Sequence, residues 1–213
     1  MKKIISVLLM AAILCSMAVL SVAAESGSAT RVIVDCMDRE VEIPETVESI
    51  VCVGVGALRY SCYVGAADLV VGVEDYEVKP GMSRLYNYVN FDKFKELPVT
   101  GTNGVPFEEE IINADPQVIV VSTYASVDPD ELSAKTGIPV VMVPGSDTTL
   151  DEKAYVTIRI LGELYHMEDR AAELTAYLKE IQQDFGCAHR LHPGGGEAHR
   201  VCGRRFLQGA AWL

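Results

Sequence analysis

The stretch Ile50-Val51-Cys52-Val53-Gly54-Val55-Gly56-Ala57-Leu58-Arg59-Tyr60 constrains the fold more than any other part of the chain. A continuous apolar run without alternation is what a strand buried on both faces requires. The two glycines allow a tight turn, and Leu58 to Ala67 follows at helical spacing, so the join reads as strand, turn, helix. Arg59 and Tyr60 leave that turn at the carboxyl end of the strand, the end at which open parallel sheets meet their ligands.

The same alternation continues along the chain. Arg31 to Asp35 and Glu40 to Ile43 alternate apolar and polar around Met37-Asp38-Arg39, which predicts a β-hairpin closed by Pro44. Leu69 to Val73, Gln117 to Ser122 and Pro139 to Val143 read as strands. Phe107 to Ala114 and Pro129 to Thr136 read as helices, the second ended by Gly137. Apolar strands separated by helical stretches predict an α/β fold with a parallel sheet flanked by helices. Between Glu74 and Asn103 the periodicity disappears, and Tyr76, Tyr86, Tyr88, Phe91 and Phe94 crowd together with Arg84, Asn87 and Asn90. An aromatic, irregular segment in a regular frame predicts a binding loop. From Asp151 to Phe185 apolar residues recur at helical spacing with no proline, which predicts one long helix.

Lys2 and Lys3, the apolar run Ile4 to Leu20 and the small residues Val22-Ala23-Ala24 form an export signal, so residues 1–24 are expected to be removed and the chain to work outside the cytoplasm. Cys15 is a weak candidate for a lipid anchor, because Ile13 and Leu14 precede it where a small residue belongs. About 190 residues remain, enough for one domain with a sizeable core. The net charge of −12 argues against nucleic acid as a partner, since phosphate binding needs a basic face. Five of the six cysteines lie beyond the export signal, an odd number without regular spacing, which favours buried thiols over a disulfide framework.

At this point the residues carry a resemblance. The order of the hairpin, the Ile50 to Tyr60 join, Val64-Gly65-Ala66-Ala67-Asp68-Leu69-Val70-Val71-Gly72-Val73-Glu74 and Ala114-Asp115-Pro116-Gln117-Val118-Ile119-Val120-Val121 resembles the extracytoplasmic substrate-binding proteins of ABC importers for iron complexes, siderophores and cobalamin. The similarity covers roughly Val32 to Phe185. It implies two α/β lobes joined by a long helix, with cargo in the cleft between them. Residues 25–150 are then the N-terminal lobe, residues 151–186 the interlobe helix, and the strand ends after Val55, Ser122 and Val143 face the cleft. It implies Arg59 and Tyr60 as ligand residues, with Tyr86, Asn87, Tyr88 and Tyr124 behind them. Arginine offers a planar fork to carboxylate or catecholate, and tyrosines stack on flat rings. Counting back from Pro116, Glu109 matches the glutamate that docks on the permease, although Glu108 and Glu110 beside it also suit a plain helix N-terminus. The resemblance further implies a monomer with no cofactor of its own, an iron chelate or corrinoid as cargo, and an ABC permease in the cytoplasmic membrane as partner. A secreted adhesion or interaction module is the rival from another class.

Two other motifs fail. Gly54-Val55-Gly56 opens like a dinucleotide fingerprint, but Arg59 stands where the third glycine must allow close helix packing. No serine sits in a nucleophile elbow, and His166, the one histidine before the tail, lies in the long helix, so a hydrolytic triad lacks its base and no catalysis is expected.

After Phe185 the composition changes. Three of the four histidines and four of the ten arginines fall in the last 28 residues, which hold no lysine and one acid, Glu197. Cys187, His189, His192, His199 and Cys202 are donor types that zinc takes. The competing expectation is a frameshift near Gly186, which makes residues 187–213 an accidental, unfolded tail in place of a second lobe. Codons for His192 to Gly209, read one nucleotide later, permit an acidic linker followed by an apolar strand and glycines. The tail shows no periodic core to hold a metal cluster, so the frameshift is the favoured expectation and no metal ligands are assigned.

Overall fold

The computed structural model describes residues 29–145 and 151–190, with side chains to 184. The export signal, Cys15 and the tail donors beyond Arg190 lie outside the described residues, as do the side chains of Cys187 and His189. Six strands, β3 (Ile50–Val53), β4 (Val70–Glu74), β5 (Val99–Thr102), β6 (Val105–Pro106), β7 (Val118–Ser122) and β8 (Val140–Val143), form one sheet in the order β6-β5-β4-β3-β7-β8. All neighbours run parallel except β5 and β6. This is the expected α/β arrangement of a mostly parallel sheet flanked by helices.

The continuous apolar runs are explained by which face each residue serves. Ile50, Cys52, Val118, Val120, Val141 and Val143 point to one side, where they pack with α1 (Ala57–Val64), α5 (Glu152–Tyr165) and Phe94 at the end of α2 (Leu85–Phe94). Val51, Val53, Ile119, Val121, Val140 and Met142 point to the other, against Ile111 of α3 (Glu108–Ala114) and Leu132 of α4 (Pro129–Thr136). Two covered faces leave polar positions in β3, β4 and β7 only at the carboxyl ends, at Glu74 and Ser122. Asp128 caps α4 by accepting from the backbone N–H groups of Asp130 and Glu131, Pro129 occupies its first turn, and Gly137 ends it at φ 73°.

The hairpin of β1 (Thr30–Val34) and β2 (Glu40–Pro44) forms a separate two-stranded sheet and covers the outer edge of β8. The Cys36 N–H donates to Met142 O at 3.1 Å, and the Met142 N–H donates to Asp35 Oδ2 at 3.2 Å. Arg39 donates to Val140 O at 2.9 Å. An open strand edge is a template for unwanted pairing, and here it is closed by the chain's own turn.

Two expectations are corrected. The stretch from Glu74 to Asn103 is not an irregular loop throughout, since it contains α2 and β5. Nor is Asp151 to Phe185 one helix. It divides into α5 and α6 (Glu168–Arg190), with His166 in the left-handed region at φ 55°. The carbonyls freed at that break are taken up by Arg31, whose Nη2 donates to the oxygens of Glu163 and Leu164 at 2.9 Å each. A His166 ring nitrogen also lies 2.7 Å from Glu45 O.

After the break the chain doubles back. Tyr155 near the start of α5 donates to Gln182 far along α6 at 2.9 Å, and Lys179 lies over the Tyr155 ring. The two helices therefore form an antiparallel hairpin. Ala154, Ile158, Leu161 and Leu164 bury α5 in the core, whereas α6 is mostly exposed. Cys36, Cys52 and Cys62 are unbridged thiols, and burial pushes the Cys52 thiol up to about 12. Among the described residues, no helix is long and apolar enough to cross a membrane.

Candidate functional site

The strand-to-helix join builds the first wall of the site. Gly54 (φ 85°) and Gly56 (φ 96°) turn the chain out of β3 in conformations that disfavour any residue with a Cβ. The helix that starts there places Arg59 and Tyr63, four residues apart, on one face. The Arg59 guanidinium lies 5.0 Å from the centre of the Tyr60 ring. Tyr60 and Tyr63 meet edge to face at 6.0 Å, and Tyr63 meets Tyr86 in the same way at 6.5 Å, so aromatic contact runs from the core to the far wall.

Glu74, the last residue of β4, forms the floor. It is buried and accepts from the Gly104 N–H at 2.6 Å. Burial raises its pKa above the ordinary 4.5, while the Gly104 and Gly54 amides pull it back. The Gly104 donor is presented by a two-residue turn between β5 and β6, in which Asn103 (φ 48°) and Gly104 (φ 77°) are both left-handed. That is the geometry for which Asn-Gly is preferred in hairpins.

The far wall is a loop tied down by two devices. Glu77 is buried and accepts from Tyr86 Oη at 2.6 Å and from Asn87 Nδ2 at 2.7 Å. Burial, and then the bond to Glu77, push the Tyr86 phenol well up, so it stays a donor at physiological pH. Arg84 donates to the carbonyls of Tyr76 and Lys79 at 3.0 Å each and stacks on the Tyr76 ring. Gly81 makes room for it, because a Cβ there would sit 2.6 Å from Arg84 Nε.

Between these walls is a cavity of about 470 Å³, within the usual size of small-ligand sites. Arg59, Tyr63, Glu74, Tyr76, Arg84 and Tyr86 carry its chemistry, with Val55, Ser83, Leu85 and Asn103 at the margins. It lies at the carboxyl ends of β3, β4 and β5. Where the strand order reverses, between β3 and β7, the packing around Gly54 is tight. A Cβ on Gly54 would come within 3.1 Å of the Ala125 methyl and 3.2 Å of Ser122 Cβ.

Of the expected ligand residues, Arg59 and Tyr86 line the cavity. Tyr60 and Asn87 have no exposed surface. Tyr60 packs in the core, and Asn87 holds Glu77. Tyr88 and Tyr124 are exposed but do not line the cavity. Tyr63 and Glu74 were not anticipated as ligand residues, and Tyr76 and Arg84 were placed in the expected binding loop without being singled out. Tyr63 was legible from its helical spacing to Arg59, and Glu74 from its place at a strand end. Glu109 is exposed in the first turn of α3, and its neighbour Glu108 is paired with Lys135 at 2.9 Å. His166 stands at the α5–α6 corner and not in the cavity wall. Among the described residues, no group of three or more His, Cys, Asp or Glu side chains is placed to hold a metal ion.

A family model for periplasmic binding proteins matches residues 50–185, which includes every strand of the main sheet. The chain belongs to the periplasmic binding protein family. Solved members share the fold at low identity. The molybdate-binding protein MolA of Haemophilus influenzae superposes with a TM-score of 0.61 at 20% identity, over 79% of this chain and 56% of its own. The petrobactin-binding protein YclQ of Bacillus subtilis gives 0.60 at 20%, over 77% and 55%. The catecholate-siderophore binding protein VctP of Vibrio cholerae gives 0.57 at 23%, over 76% and 54%. This periplasmic binding protein thus spans about half the length of the solved structures it matches, and what it shares with them is one α/β lobe. No match was found among curated proteins.

Proposed function

We propose that this chain is the N-terminal lobe of the substrate-binding component of an ABC importer, taking an iron complex such as a siderophore or haem, or cobalamin. The cavity carries this reading. It sets the guanidiniums of Arg59 and Arg84 beside the phenols of Tyr63, Tyr76 and Tyr86 at the strand ends. Guanidinium groups and phenols suit the anionic oxygens and flat rings of a metal chelate.

Exposed Glu109 is the docking residue for the permease in this reading, and the protein acts as an exported monomer. Because α5 is buried in the lobe, the connector to a second lobe is α6 alone. The segment after Phe185 is read as an out-of-frame product. Sequencing the locus from the codon of Gln182 onward tests that point: an open shifted frame encoding a second α/β lobe supports it, and a closed frame overturns it.

Thermal denaturation with haemin, a ferric catecholate, ferric citrate and cyanocobalamin tests capture itself. A cargo present at about 1,000 times its Kd stabilises the folded chain by about 4 kcal/mol. Arg59→Gln is expected to remove most of that gain. A melting temperature that no probe moves would favour an adhesion or interaction module.

A further inference from the structure

Helix α2 is built inside out. Its buried side chains are Asn87 and Phe94, while Leu85, Tyr88 and Val89 are 68%, 58% and 78% exposed, and Met82 just ahead of it is 82% exposed. Leu85, Tyr88 and Val89 are spaced three and four apart, so they share one face of the helix. Ordinary surface helices turn such residues inward, and here the first turns bury the polar Asn87 while Leu85, Tyr88 and Val89 stay exposed. The inward place of Asn87 is set by the buried Glu77 carboxylate, which accepts from it at 2.7 Å. The polar bond thus holds the apolar face outward.

The exposed face continues the cavity. Leu85 belongs to both, lining the cavity beside Arg84 and Tyr86 while standing in the apolar stripe. A ligand that enters toward Arg59 and extends past Leu85 meets Met82, Tyr88 and Val89 next. The cavity alone suits a compact anion, but the stripe has nothing to offer one.

We propose that the cargo is an amphiphilic anionic chelate, whose charged oxygens enter the cavity toward Arg59 while its apolar flank lies on Met82, Leu85, Tyr88 and Val89. This rests on the reading of the cavity as the cargo site, and it disfavours bare oxyanions and hydroxycarboxylate complexes as cargo.

The test is calorimetric titration of the full chain with haemin, which has an apolar ring and two carboxylates, with ferric citrate and with molybdate. It uses the wild type, Arg59→Gln and the double variant Met82→Ser/Val89→Ser, with circular dichroism to check that each is folded. Haemin is expected to bind the wild type at least about tenfold more tightly than ferric citrate. The double variant is expected to lower the haemin-to-citrate affinity ratio by about tenfold, as loss of two apolar contacts implies. Arg59→Gln is expected to weaken haemin as well. An unchanged ratio in the double variant overturns the proposal, as does haemin binding indifferent to Arg59→Gln, which marks mere adhesion. A dimer in sedimentation that the double variant abolishes also overturns it, by giving the stripe to a second copy. Binding of citrate or molybdate but not haemin overturns the amphiphilic cargo and leaves capture standing. Binding of none of the three removes the capture reading itself.

Discussion

Asp35 shows how much one buried carboxylate can organise. It is 3% exposed and accepts from Arg39 Nη2 at 2.7 Å, Arg39 Nε at 3.0 Å, and the backbone N–H groups of Met37 and Met142. The hairpin turn, the guanidinium and the edge of β8 thus share one anion. Asp35→Ala strands these donors and leaves Arg39 partly buried without its main partner. A loss of about 3 kcal/mol is expected in urea denaturation, in line with breaking one side of a buried pair. A loss within error of zero would mean that the hairpin is held by its apolar contacts alone.

Glu74 is the opposite case, a buried acid with amide partners and, among the described residues, no cation paired with it. Its raised pKa means that the folded chain holds this proton more tightly than the unfolded chain does. Stability contributed by this group is therefore present at acidic pH and is lost as pH rises from the ordinary 4.5 through the raised folded value. Glu74→Gln removes that loss. The stability of the variant relative to wild type is expected to increase as pH rises above the ordinary 4.5, measured as the urea midpoint at each pH. A constant difference would show that the Gly104 and Gly54 amides fully offset the burial.

At the scale of elements, the α5–α6 hairpin depends on one close approach. A Cβ on Gly162 would lie 2.5 Å from the Ala171 methyl. Gly162→Ala should therefore force the helices apart and cost about 1–2 kcal/mol, despite the better helix propensity of alanine. The exchange Gly162→Ala/Ala171→Gly keeps the total propensity and restores the gap, so it is expected to recover most of the loss. A double variant as unstable as the single one would sink this account. Measured denaturation of both variants decides it.

These elements also show where sequence reading reached and where it stopped. The strands β3, β4, β7 and β8 were legible because both faces are covered and their runs are apolar up to their carboxyl ends. The break between α5 and α6 was not, because it contains neither proline nor glycine. It is made by His166 in a left-handed conformation and by Arg31, a partner more than a hundred residues away in sequence. β5 was missed although Asn103-Gly104 announced its turn. α2 was missed because Leu85, Tyr88 and Val89 face outward while Asn87 faces inward, so a search for a continuous core-facing stripe finds none. Within the site, Arg59 was legible from its place after β3, whereas Tyr60, its neighbour, was assigned outward. One step along a helix turns a side chain by about 100°, and that step put Tyr60 in the core.

For the whole molecule, the sheet divides the core unequally. The side covered by α1, α2, α5 and α6 holds the larger buried cluster, with Tyr60, Phe94, Ile158 and Leu161 among it. The side covered by α3 and α4 is closed by two short helices, whose main anchors are Ile111 and Leu132. Local opening follows the amount of apolar contact that each segment must give up. Native-state hydrogen exchange is therefore expected to show α3 and α4 opening at lower free energy than β3, β7 and α5, as a separate sub-global unit. Equal opening energies on both sides would show instead a single cooperative unit. The division bears on function as proposed. Arg59 and Tyr63 belong to α1, on the heavily anchored side, so the cavity wall stays preformed for cargo. Glu109 belongs to α3, on the lightly anchored side, so under the proposed docking role its helix can adjust without disturbing the cavity.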